Sequence, residues 1–351
     1  MGDPNIIVVV LDNGIQQNHP DINQLPGKDF WNPGNNGGPL NSGDNHGTTV
    51  AGVISGILNN NVGIVGIAPN VKVVSARIGG TSTTTNTNDW TANAPAAEAL
   101  AWAQSIGARI TVRSGDFIYY ASIEQKYNDT WNNGHGLLHF AATGNANKYG
   151  LPFPANLGSV VAVGAFNSSG NRWDNGSQGS TWGDKIPANP NNPGVTFLAP
   201  GVDIWTTDRT GSDGYVNGDY YNTNGTSYAA PYAAGVAALA FSYHPSFTAN
   251  DVKYTMLETS EQVAQYELPG DAYATSSYAT VKEGFGRISA RRMLKDLQQG
   301  GTPGGIVSMN MHHDFYAGSN HDDYLIYKSW HADTGTVSPG QDLGLALVLG
   351  I

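Results

Sequence analysis

Cysteine is absent from the 351 residues. That removes disulfides, thiolate metal ligands and cysteine nucleophiles in one step, and it leaves the compartment open. Charge is scarce too: charged residues are 13% of the chain and the formal net charge is −11. A chain so short of basic residues lacks the positive face that nucleic acid or an anionic membrane needs, so neither is expected as a partner. No run of about 18 apolar residues occurs, so no membrane-spanning helix is expected. Residues 1–5 carry neither a basic n-region nor an apolar h-region, so no signal peptide is read there. A hydrophobic strand begins almost at once, as in a mature form or a chain whose natural start was cut away.

The chain is long enough for one large domain or two smaller ones, with a sizeable core. Its solubility rests on amides, hydroxyls and turns more than on ion pairs, since glycine alone accounts for 45 residues. Apolar, β-branched runs at Ile6–Leu11, Val71–Ala76 and Ser159–Ala165 read as buried parallel strands. Leu137–Ala142 is a fourth candidate and Arg109–Val112 a fifth. Helix-like stretches lie between and after them: Thr48–Leu58, Ala94–Ile106 and the Ala-rich Ser227–Tyr243. Strands alternating with helices give an α/β fold with a parallel sheet, whose active site is expected at the carboxyl ends of the strands.

Loops rich in Asn and Gly at 32–45, 79–91 and 167–194 read as surface excursions, because core segments resume on both sides. No internal repeat is found. The sequence QQGGTPGG breaks both helix and strand, which places a linker at 299–305 between a domain of residues 1–298 and a C-terminal appendage at 306–351. The appendage contains HHDFYAGSNHDDY (312–324), read as a solvated loop rather than a metal site because nothing fixes ligand geometry.

Three segments carry chemistry. Asp12 follows the strand IIVVVL and precedes Asn-Gly, so its carboxylate sits at a strand's carboxyl end. His46 opens a helix of small residues in DNHGTTVAGVISG, and Ser227 enters another in NGTSYAAPYAAGVAALA. A serine at a helix entry can aim its hydroxyl into a cleft and its own N–H at an incoming carbonyl oxygen. Its hydroxyl is a poor nucleophile until an imidazole takes its proton and a carboxylate holds that imidazole's tautomer. Singly, each segment has a bland reading as a turn or a helix cap. Their conjunction, in the order Asp, His, Ser, is what points to catalysis.

These segments resemble the three active-site motifs of the subtilisin-like (subtilase) serine proteases. HFAATGNAN resembles the family segment that carries the oxyanion asparagine, here Asn145, and FLAPGVDIWTT and EGFGRISARRML match further family stretches, so the likeness covers about residues 5–298. The Ser227 helix and its continuation HPSFTANDVKYTML lean toward kexins, whereas LNNNVGIVGIAP leans toward true subtilisins. The resemblance implies a three-layer α/β fold with a central parallel sheet flanked by helices. It also implies a serine endopeptidase acting through an acyl-enzyme, with Asp12, His46 and Ser227 as triad and Asn145 as oxyanion donor.

By the same resemblance, the 58–69 loop is a structural calcium site. Its ligands would be the carbonyls of Leu58, Val62 and Ile64 with the side chains of Asn60 and Asp21. The ordinary alternative is an Asn-Gly turn. The implied partners are polypeptide substrates and a propeptide or proteinaceous inhibitor, and the implied location is extracellular. Members carry a further segment before the catalytic aspartate, and one calcium ligand comes from it; here eleven residues precede Asp12. TVRSGD (111–116) stands where the substrate-pairing strand reads Ser-Leu-Gly or Ser-Trp-Gly, so Arg113 or Asp116 is expected to intrude on the cleft. Tyr232 takes a position where many subtilisins have histidine and is expected to be packing. Two other functions remain open on this scaffold: a transpeptidase or macrocyclase, and a non-catalytic binding module.

Overall fold

A computed structural model describes residues 1–81, 88–89, 93–183, 194–261 and 282–298. The linker and appendage expected beyond 298, including the 312–324 segment, lie outside the described residues.

In chain order the elements are β1 (Ile7–Asp12), β2 (Gln24–Asp29), α1 (His46–Ser55), β3 (Lys72–Arg77), β4 (Gly80–Thr81), β5 (Asn88–Asp89) and α2 (Asn93–Ser105). There follow β6 (Ile110–Arg113), α3 (Ala121–Trp131), β7 (Leu138–Ala142), β8 (Val160–Phe166), β9 (Phe197–Pro200), β10 (Ile204–Thr207) and β11 (Tyr220–Thr223). Helices α4 (Thr226–Tyr243), α5 (Ala249–Glu258) and α6 (Ala290–Gln298) complete the set. Seven strands form one parallel sheet in the order β2-β3-β1-β6-β7-β8-β9. The five runs read from sequence fall on β1, β3, β6, β7 and β8, each within a residue or so of its bounds.

Both faces of the sheet are covered, which is why its central strands are apolar throughout rather than alternating. Val8 and Val10 face a core shared with α1, α4, α5 and α6. Val9 and Leu11 face the opposite core, with α2 and α3. Each such side chain contributes roughly 1.5–3 kcal/mol by leaving water. The architecture is therefore a three-layer α/β fold. Helix α4 is buried almost along its length, and only an Ala- and Gly-rich sequence lets a helix lie that close to its neighbours. Within it, Gly235 approaches so near that an added Cβ would sit 2.6 Å from Ile67 Cβ.

This topology positions the site. Strand β1 is central and ends at Asp12, with β6 on one side and β3 on the other. The first turns of α1 and α4 both lie at that end of the sheet, where their N–H groups, lacking partners one turn back in the helix, are free to bond side chains from the strand ends.

Candidate active site

Asp12 is 1% exposed at the end of β1. Its Oδ1 accepts a hydrogen bond from the Asn13 amide at 2.8 Å, and its Oδ2 lies 2.9 Å from His46 Nδ1. A carboxylate can only accept, so the imidazole proton sits on Nδ1 and leaves Nε2 as the acceptor. Burial alone would raise the Asp12 carboxyl. The charge and hydrogen bond of His46, the charge of Arg113 and the Asn13 amide together hold it below the usual carboxylate range. His46 keeps 23% of its side-chain surface exposed. Gly47 is glycine by necessity, since a Cβ there would fall 2.4 Å from the Gly14 carbonyl and 3.1 Å from Asp12 Cβ. The Gly47 amide also donates to Asn13 Oδ1 at 2.8 Å, which pins the start of α1 to the end of β1.

Ser227 occupies the first turn of α4 after Gly225, whose φ of 152° suits glycine alone. Its Oγ donates to the Ser114 carbonyl at 2.9 Å. Pro231, four residues on, has no N–H to give the Ser227 carbonyl, so that one intrahelical bond is missing. Asn145 lies beyond the end of β7. Its Oδ1 accepts from the Thr226 amide at 2.9 Å and from Thr226 Oγ1 at 2.8 Å. With the oxygen so engaged, the Nδ2 end of the amide is left toward the cavity. Thr226 Oγ1 in turn accepts from the Gly144 amide at 3.0 Å, which closes a small polar lock around Asn145. A cavity of about 450 Å³ is lined by Ser227, Thr226, Asn145, Gly144, Ser114 and Asp116, among others.

The structure thus brings the four sequence-read residues to one edge of the sheet, but their contacts differ. Asp12 and His46 are hydrogen-bonded, whereas the Ser227 hydroxyl is turned to Ser114. Thr226 and Ser114 were not singled out by sequence, because their roles lie in a backbone carbonyl and a second hydrogen bond that no motif displays. Arg77 was also missed. Fully buried, it donates to the Asn13 carbonyl at 3.0 Å, to Asp29 at 3.0 Å and to Asp44 at 2.8 Å, bracing the turns on either side of the Asp12–His46 pair.

Arg113 does not intrude on the cleft. Along β6, Val112 faces the α1/α4 core, so residue 113 points to the opposite face. There it is 2% exposed, donating to the Leu11 carbonyl at 3.1 Å and the Asp116 carbonyl at 2.8 Å, with its guanidinium over the Phe117 ring. Asp116 does line the cavity. Tyr232 packs, half-buried, against the apolar core.

At the 58–64 loop, Asp21 is fully buried and its carboxylate accepts from Asn60 Nδ2 at 2.6 Å and from the Ile64 amide at 2.9 Å. The Tyr220 hydroxyl also hydrogen-bonds it. Positive φ recurs at Asn59, Asn61 and Gly63, an alternation that winds the loop tightly around the Asp21 side chain. Among the described residues no group of three or more His, Asp or Glu is placed to hold a metal. An ion here would therefore rest on one carboxylate, an amide and backbone carbonyls. That donor set is all oxygen, as calcium prefers, provided the Asn60 amide turns its oxygen inward.

The chain matches the subtilase family over residues 3–287. It is 31% identical to the alkaline protease of Alkalihalobacillus alcalophilus over 274 residues, 78% of this chain and 63% of that relative. It therefore spans less than two thirds of that relative's length. Subtilisin Savinase of Lederbergia lenta is 30% identical, with 78% of this chain and 90% of that protein covered. Among solved structures, the protease domain of PatA superposes with a TM-score of 0.65 at 26% identity, covering 85% of this chain and 97% of that domain.

Proposed function

This chain belongs to the subtilase family, and from that premise we propose that it is a serine endopeptidase with Asp12, His46 and Ser227 as its triad. The observation that carries the reading is the 2.9 Å Asp12–His46 pair at the same sheet edge as Ser227 and an Asn145 whose oxygen is locked away.

In this mechanism the Ser227 hydroxyl first turns from the Ser114 carbonyl to His46 Nε2. Oγ then attacks the peptide carbonyl carbon as His46 takes its proton, and Asp12 stabilises the imidazolium. The oxygen that becomes negative is met by Asn145 Nδ2 and the Ser227 amide, which lacks an intrahelical partner in the first turn. His46 gives its proton to the leaving nitrogen, the C–N bond breaks, and an acyl-enzyme remains. Water, activated by His46, adds to the ester carbon and releases the acid. Partial exposure of both His46 and Ser227 leaves the ester within reach of water. With the triad complete, a non-catalytic binding module has no lost residue to rest on.

The polypeptide substrate follows from the family. Action outside the cell and control by a propeptide or proteinaceous inhibitor rest on resemblance alone; no described helix is long and apolar enough to cross a membrane. Calcium, held by Asp21, Asn60 and the carbonyls of Leu58, Val62 and Ile64, would supply structural cross-linking of the loop to β2's approach and no chemistry. Because it would bind only the folded state, chelator is expected to lower the melting temperature, and Asp21→Ala to blunt that response. An identical melting curve in chelator removes calcium from this loop. The function itself is tested by incubating purified protein with casein, with and without a serine-directed phosphonyl or sulfonyl inhibitor. Inhibitor-sensitive fragmentation is expected, and fragmentation indifferent to the inhibitor overturns the reading.

A further inference from the structure

Arg77 is fully buried, and a guanidinium gives up water only where acceptors replace it. Its replacements lie in three directions: Nε donates to the Asn13 carbonyl at 3.0 Å, Nη1 to Asp29 at 3.0 Å and Nη2 to Asp44 at 2.8 Å. Strand register puts this fork beside the catalytic carboxylate. In the parallel β1–β3 pair Asp12 lies opposite Arg77, just as Val8 lies opposite Val73, and both of those valines face the core shared with α1 and α4. Stepping by twos along each strand, Asp12 and Arg77 leave the sheet on that same face, where α1 brings His46.

Two arms of the fork end on the segments that carry the Asp12–His46 pair. Asn13 touches both sides of it: its amide donates to Asp12 Oδ1 at 2.8 Å, and its Oδ1 accepts from the amide of Gly47, the residue after His46, at 2.8 Å. With its carbonyl on Arg77 as well, Asn13 has no freedom to turn. Asp44, two residues before His46, gathers three amides besides the guanidinium, those of Leu40 and Asn41 at 3.2 Å each and that of Thr81 at 2.6 Å. The chain is thus held as it leaves Asp12 and again as it enters His46. The third arm meets Asp29, which gathers the Trp31 and Asn32 amides at 3.0 and 2.7 Å. Gly80 leaves the room that the fork needs, since a Cβ there would collide with Arg77 Nη2.

We propose that Arg77 is a positioning residue for the Asp12–His46 pair, acting through Asn13 and Asp44 to hold the imidazole where Asp12 orients it and Ser227 can use it. The inference rests on the triad reading above. It concerns the direction of hydrogen bonds rather than charge, because Asp29 and Asp44 already neutralise the guanidinium. A slackened pair still leaves the peptide-binding surface in place, so the loss falls on the chemical step.

The test is Arg77→Lys, which keeps the charge and removes the flat fork, so that three acceptors in different directions are no longer met at once. On peptide p-nitroanilides, with rates normalised to titrated active sites, kcat should fall about tenfold to a hundredfold with KM nearly unchanged, the scale of a catalytic group displaced by up to an ångström. The low-field proton resonance of His46 Nδ1–H should shift or broaden in parallel. Where the lysine variant does not fold, Asp44→Asn serves, because it loosens the entry to His46 and leaves Arg77 paired with Asp29; its kcat should fall by less. A merely structural role would lower the melting temperature and the active fraction and leave kcat per titrated site unchanged. His139→Gln, altered in the core on the opposite face of the sheet, marks that outcome. Normal kcat per titrated site in Arg77→Lys, or in Asp44→Asn where the lysine variant fails, overturns the proposal, as does an equal loss in His139→Gln. A wild type without inhibitor-sensitive peptidase activity overturns the triad reading instead, which tells the two failures apart.

Discussion

Two histidines sit in this sheet's neighbourhood and are put to opposite uses. His46 is partly exposed, with its Nδ1 on the Asp12 carboxylate. His139, on β7, is fully buried, with Nδ1 2.7 Å from Thr111 Oγ1 and Nε2 3.1 Å from Thr130 Oγ1. The Tyr127 ring meets it edge-on at 4.9 Å. Burial pushes the His139 imidazole down to about 3, so it is neutral across the working range and ties β6 to α3. The same side chain is a base where an anion holds one nitrogen and the ring stays partly exposed. It is a strut where hydroxyls hold both.

The comparison is broken most severely at His46. His46→Ala should cost about a millionfold in kcat, the magnitude that loss of the triad histidine has in subtilisin itself. Melting temperature should change little, because the residue is partly exposed. A variant with near-normal turnover would end the claim that the partly exposed histidine is the base.

Asn145 sharpens the comparison on the side of the nucleophile. Its Oδ1 is fixed by Thr226, so its Nδ2 contributes only when the substrate oxygen becomes negative. Asn145→Leu should cut kcat by about a hundredfold to a thousandfold, again the scale measured for subtilisin, with KM nearly unchanged. Normal kcat with a lowered melting temperature would make Asn145 a turn residue only.

The smallest effect belongs to His139 and concerns stability. Its folded value of about 3 lies below the ordinary 6.5, so between those limits the unfolded chain binds the extra proton. Stability contributed by the neutral ring is therefore complete above about pH 6.5 and is lost as pH falls toward 3. The slope should not exceed about 1.4 kcal/mol per pH unit for one such group. Denaturant unfolding at pH 7 and pH 5, in a Ser227→Ala background to prevent self-digestion, should lose part of its pH dependence in His139→Gln. An unchanged dependence would show that His139 is not held neutral.

Much of the fold was legible because β-branched runs such as IIVVVL and VVAVGAF are unambiguous when both faces of a strand are buried. Edge strand β2 was not, since QLPGKD carries Pro26 and Gly27 and only one neighbour. Helix α5 was not read either: Thr248 and Asp251 form its capping box, yet its apolar face is weak. At the site, residue identities were readable from motifs, whereas orientations were not. Whether Arg113 enters the cleft depends on which face of β6 it occupies, and the sequence TVRSGD does not declare its register. Likewise, nothing in GTS announces that Thr226 locks Asn145 or that the Ser227 hydroxyl rests on the Ser114 carbonyl.

The most direct test of the central claim removes one oxygen atom. Purified Ser227→Ala protein, confirmed as folded by its melting curve, is incubated with casein beside the wild type. The expected result is that the wild type fragments casein while the variant falls by about a millionfold, to the residue that binding and the oxyanion donors support. Casein cleavage by the pure variant at a rate near that of the wild type would contradict Ser227 as the nucleophile, and the triad with it.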